Sequence, residues 1–89
     1  MESNFFLITF LSRSQNYEFA SLIHSYGGTA KIINTPRQIV SSCSLSVKTD
    51  NNGFQIAQII FKRRCFDSFN GSYKVKQIGH QINFEQVAI

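Results

Sequence analysis

The spacing of apolar positions changes character several times along this chain, and each change marks an element. Phe5-Phe6-Leu7-Ile8-Thr9-Phe10-Leu11 is a continuous apolar run rich in aromatic and β-branched residues. A run of that length predicts a central strand buried on both faces. Ser12 offers an N-cap, and Gln15 three residues later completes a capping-box pattern. Phe19, Leu22, Ile23 and Tyr26 then recur at i, i+3, i+4 and i+7, one face of a helix that Gly27-Gly28 ends.

A second strand is expected over residues 29–33, stopped by Asn34-Thr35-Pro36. Cys43, Leu45 and Val47 alternate with Ser42, Ser44, Ser46 and Lys48, so a third strand is expected with its serines and lysine toward solvent. Asp50-Asn51-Asn52 leads into a second helix over residues 53–64, with Phe54, Ala57, Ile60 and Phe61 inward. Lys62-Arg63-Arg64 suits the negative end of that helix's dipole. Asn70-Gly71 reads as a turn, and residues 73–78 as a fourth strand with Tyr73 and Val75 opposite Lys74 and Lys76.

The order β-α-β-β-α-β predicts an α+β, ferredoxin-like sandwich. Right-handed crossovers put two helices on one face of a four-stranded antiparallel sheet. The single domain is expected to span residues 1–79. Residues 80–89 keep four large apolar side chains, Ile82, Phe84, Val87 and Ile89. This apolar tail is expected to cover the open sheet face, pair with an edge strand or mediate dimerisation, since an apolar sheet face needs cover.

Composition narrows the function classes. The chain has 89 residues and nine phenylalanines but no tryptophan, enough apolar area for one core without staples. Two cysteines are too few for a disulfide-rich scaffold. Met1-Glu2-Ser3 lacks a basic leader, and the apolar run at residues 5–11 is far short of the roughly 20 residues of a membrane helix. The expectation is therefore a cytoplasmic protein without a membrane partner. A net charge of +4 is too diffuse to mark a nucleic-acid surface. An RNA-recognition domain shares the strand order, but its third strand presents stacking rings where this chain has Ser42, Ser44, Ser46 and Lys48. His24 and His80 lack zinc-site spacing, there is no Gly-rich phosphate loop, and no general base is identifiable, so no metal and no cofactor are expected, and a carrier or binding module is favoured over a turnover enzyme.

The topology gathers the candidate chemistry on one rim of the sheet. Ser12 to Ser14, the connection from Thr35 to Cys43, and Arg63 to Cys65 come together there. Cys43 then lies near a helix N-terminus with Arg13 and Arg37 as cationic neighbours, an environment that favours the thiolate and lowers a thiol pKa from about 8.5. The opposing reading makes Cys43 a small buried hydrophobe beside Leu45 and Val47. Cys65, just past the second helix, is either a packing residue or a second, resolving thiol.

Thr35-Pro36-Arg37-Gln38-Ile39 followed by Ser41-Ser42-Cys43-Ser44 resembles the TPRxIxxSC motif of the selenium/sulfur carrier protein-like family. The resemblance covers about residues 4 to 65. It implies that Cys43 is a carrier thiol holding a persulfide or selenopersulfide, that Thr35, Pro36, Arg37 and Ser42 shape its surroundings, and that the partners are sulfur or selenium donor and acceptor proteins. Ser44 stands where the motif has glycine. The alternative is a non-catalytic binding module, a homodimer through the sheet face or the tail, in which the cysteine is structural.

Overall fold

The computed structural model describes residues 2–37 and 45–89. Its elements run β1 (Glu2–Phe10), α1 (Arg13–Ser25), β2 (Ala30–Asn34), β3 (Leu45–Thr49), α2 (Asn51–Arg63), β4 (Phe69–Ile78) and β5 (Gln81–Gln86). The protein is α+β, with two helices and a five-stranded antiparallel sheet of order β2-β3-β1-β4-β5. The sheet thus has one strand more than the four expected. The tail supplies it: Gly79, at φ +58°, opens a tight turn with His80, and β5 pairs back on β4 with Val75 opposite Phe84. Beyond β5, the Val87 N–H bonds to the Ser72 carbonyl and the Ser72 hydroxyl to the Val87 carbonyl. Val87 and Ile89 pack against the core.

Pleating divides β1 between two faces. Phe6, Ile8 and Phe10 meet both helices, through Phe19, Ala20 and Ile23 of α1 and Phe54, Ile56, Ala57 and Ile60 of α2. Leu7 and Thr9 lie on the other face and are also buried, as a central strand with two covered faces requires. Aromatic rings do most of the filling. Phe10 lies within about 6 Å of the rings of Phe19, Phe61, Phe66 and Phe69, and Phe6 stacks on Phe54 at 4.1 Å.

The helix ends follow local chemistry. The Ser12 hydroxyl accepts the Gln15 N–H, and Asp50 caps α2 by accepting the Gly53 N–H at 2.8 Å. The reciprocal half of the expected capping box is absent. Gln15 turns its amide to Asp67 and Ser68, and the Ser12 N–H donates instead to the Ser68 hydroxyl. At the other end of α1, Gly27 (φ +90°) donates to His24 and Gly28 to Ile23, a Schellman closure. Tyr26 is the C-cap residue and 43% exposed, so it leaves the apolar face assigned to it. Asn70-Gly71 is not a turn. Those residues begin β4, where the pairing with β1 slips between Thr9 and Phe10, and the chain reverses at Asp67-Ser68.

Candidate functional site

The ends of β1 and β2 and the start of β3 meet at one end of the sheet, since Ser46 lies opposite both Thr9 and Ile33. Three hydroxyls connect there. Ser46 bonds to Thr9 at 3.1 Å and also to Thr35, just beyond the end of β2. All three residues are buried, and Ser46 is fully so. Ser46 was expected toward solvent, and the structure corrects that. Its side chain does point away from Val47 and the helices, but that face is covered at this position. A buried hydroxyl needs a partner, and here each one satisfies the next.

Thr35 therefore starts the connection toward β3 from a fixed point, and Pro36 beside it is half-buried. Arg37 is exposed, as is Arg13 in the first turn of α1. Ser12 caps α1 three residues after the end of the hydroxyl chain, and the Ser12 hydroxyl also bonds to that of Ser14 at 2.9 Å. Cys43 and Ser42 lie outside the described residues.

The segment after α2 reaches the same end of the sheet. Arg64 pairs with Glu18 at 2.9 Å, and its guanidinium lies 5.4 Å from the centre of the Phe66 ring. Between them, Cys65 is a free thiol and exposed rather than packed, so the packing reading of that residue does not hold. Its neighbour Phe66 enters the core in its place, beside Phe10, Phe19 and Phe61. Among the described residues, no three side chains of His, Cys, Asp or Glu come together as metal ligands. No helix among them is long and apolar enough to cross a membrane.

Asn16 escaped the sequence reading. It is 1% exposed, and its amide donates to the Phe10 carbonyl at 3.0 Å and the Ser12 carbonyl at 3.2 Å. It thereby ties the end of β1 to the first turn of α1, while its own carbonyl oxygen accepts no hydrogen bond. Helical spacing could have found it, because Asn16 precedes Phe19 by three positions and Ile23 by seven. Polarity hid it from a search for apolar periodicity.

The family model described as "Putative Se/S carrier protein-like" matches residues 5–64 of this chain. The match takes in the Thr35-Pro36-Arg37 stretch, Cys43 and both helices. No curated protein and no solved structure matches the chain.

Proposed function

The chain belongs to the selenium/sulfur carrier protein-like family, and from that premise we propose that it carries sulfur or selenium on Cys43 between a donor and an acceptor protein. The observation that carries this reading is the family match across residues 5–64, which includes the only cysteine of the motif. The Cys43 thiolate attacks the terminal sulfur of a donor persulfide. A Cys43 S–S bond forms, the donor S–S bond breaks, and the donor leaves as a thiolate. The proton stays on the transferred sulfur, so no external oxidant enters the exchange. An acceptor thiolate repeats the step on the loaded Cys43.

Two features of the rim support this role. Thr35, held by Ser46, anchors the connection that leads to Cys43. The capped N-terminus of α1 lies at the same end of the sheet, where its amides and Arg13 favour an anion. In this reading Thr35, Pro36, Arg37 and Ser42 shape the surroundings of the thiol, and Cys65 is a resolving thiol. We read the order β2-β3-β1-β4 as a ferredoxin-like arrangement, with β5 added at the outer edge of β4. A reducing cytoplasm keeps both thiols available.

A binding or assembly role has one observation in its favour. β5 is one of the two edge strands of the sheet, and Ile82 on it is 43% exposed, an edge that a second copy could extend. Cys43→Ser separates the two readings, because it abolishes transfer and leaves assembly intact.

The test uses the Cys65→Ser protein. Iodoacetamide alkylation of Cys43 is followed across pH, and mass spectrometry follows incubation with a persulfide donor. The carrier reading expects alkylation faster than a model thiol at neutral pH and a gain of one sulfur atom on Cys43. Model-thiol rates together with no sulfur uptake overturn it.

A further inference from the structure

At the end of the sheet opposite Thr35 lies an open pocket of about 360 Å³. Phe5 of β1, Lys31 near the start of β2 and Lys48 near the end of β3 share one face of the sheet and line the pocket. His24, Thr29 and Asp50 also line it. The volume lies within the range of small-molecule sites.

The polar groups of His24, Thr29 and Asp50 are engaged within the fold. His24 donates from Nε2 to the Ala30 carbonyl at 2.9 Å. Thr29 donates to one Asp50 carboxylate oxygen, and the other accepts the Gly53 N–H. Asp50 is thereby committed to capping α2.

The two lysines are placed differently. Lys31 and Lys48 are direct cross-strand partners, a like-charge pairing that costs stability. Among the described residues neither lysine forms an ion pair with a carboxylate. The Lys48 ammonium instead rests 4.4 Å from the centre of the half-buried Phe5 ring. A pocket that combines the Phe5 ring with two adjacent ammoniums, and whose one carboxylate, Asp50, is engaged in capping α2, is complementary to a ring-bearing dianion.

We propose that this pocket binds a small organic phosphate monoester: the phosphate bridges Lys31 and Lys48, and a flat ring lies in the cleft between Phe5 and Thr29. A phosphate monoester matches two ammoniums because it carries close to two negative charges near neutral pH. Asp50 repels the phosphate and so fixes its orientation. The site is separate from the sulfur-transfer reading and stands or falls without it.

The test is an amide NMR titration of the full chain with phenyl phosphate and AMP, with adenosine and inorganic phosphate as controls. Saturable shifts are expected at Phe5, at residues 29–31 and at residues 48–50, with Kd below about 1 mM for at least one of the two esters. The controls should bind at least about tenfold more weakly, since each lacks one half of the recognised group. Lys31→Gln with Lys48→Gln should weaken the ester by about tenfold or more, the scale of a lost charge-assisted contact. An unchanged spectrum elsewhere shows that the variant is folded. The proposal is overturned if neither ester gives saturable shifts at these amides up to about 10 mM. Equal binding by the double variant, or by inorganic phosphate alone, overturns it too.

Discussion

The Thr35 hydroxyl is bonded to the Ser46 hydroxyl eleven positions later in the chain, and both are buried. The intervening residues carry most of the family motif, so this bond joins the two positions that flank the stretch on which the carrier chemistry is proposed. Ser46 also reaches back to Thr9 at 3.1 Å, which ties Thr35 and Ser46 to the central strand.

Ser46→Ala should therefore cost about 1–3 kcal/mol, because it leaves the buried Thr9 and Thr35 hydroxyls without that partner. Urea unfolding measures the loss, with Thr9→Val/Ser46→Ala/Thr35→Val as the control. Removing all three hydroxyls together should recover part of the stability, since no orphaned group remains. A triple variant less stable than Ser46→Ala would show that the hydroxyl network itself is worth more than its burial costs.

Asn16→Asp gives a pH-dependent defect whose sign follows from the site. The new carboxyl would face the Phe10 and Ser12 carbonyls in a buried position. Burial and those acceptors disfavour its charged form, raising its pKa in the folded state above the unfolded value of about 3.9. The folded state then binds more protons, so the added destabilisation is small below about pH 4 and grows as pH rises through the folded-state pKa. Thermal melts of the variant and the parent at pH 4 and pH 7 should diverge with increasing pH. A constant difference would contradict the placement of Asn16.

Gly53→Ala sets two effects against each other. Alanine favours a helix by roughly 1 kcal/mol over glycine. At Gly53, though, an added Cβ would lie 1.7 Å from the Thr49 hydroxyl and 3.1 Å from the Thr29 carbonyl, which that hydroxyl already bonds at 2.6 Å. The clash should win, with a net loss of about 1–3 kcal/mol, the usual cost of overpacking. Chemical denaturation decides the sign.

Truncation after Gly79 should expose the outer edge of β4 and remove the Val87 contacts to Ser72. The expected outcome is faster hydrogen exchange at β4 amides that face β5, while amides of β1 paired with β3 keep their protection. Uniform loss of protection across the sheet would mean that β5 is part of the cooperative core.

Both helices and the central strand were legible in the sequence because their signals are local. Ser12 and the Gly27-Gly28 pair bound α1 through contacts within a few residues of each other. A run at Phe5–Phe10 in which Thr9 is the one polar residue is satisfied only by covering both faces. The fifth strand was not legible to the same degree. Residues 81–86 alternate weakly, and their pairing depends on an edge of β4 that exists only once the sheet has formed.

The candidate site divides in the same way. The sequence by itself determined the motif from Thr35 to Cys43, the cap at Ser12 and the alternation around Ser46, since residue type and spacing carry each of these. Alternation says which face a side chain is on but not whether that face is covered. Only the tertiary structure buried Ser46 between Thr9 and Thr35, turned Gln15 away from its own cap toward Ser68, and left Cys65 exposed while Phe66 entered the core. The same holds for Lys31 and Lys48, seventeen residues apart and brought face to face by strand register alone. Each of these outcomes depends on partners distant in the chain, and sequence periodicity carries no record of them.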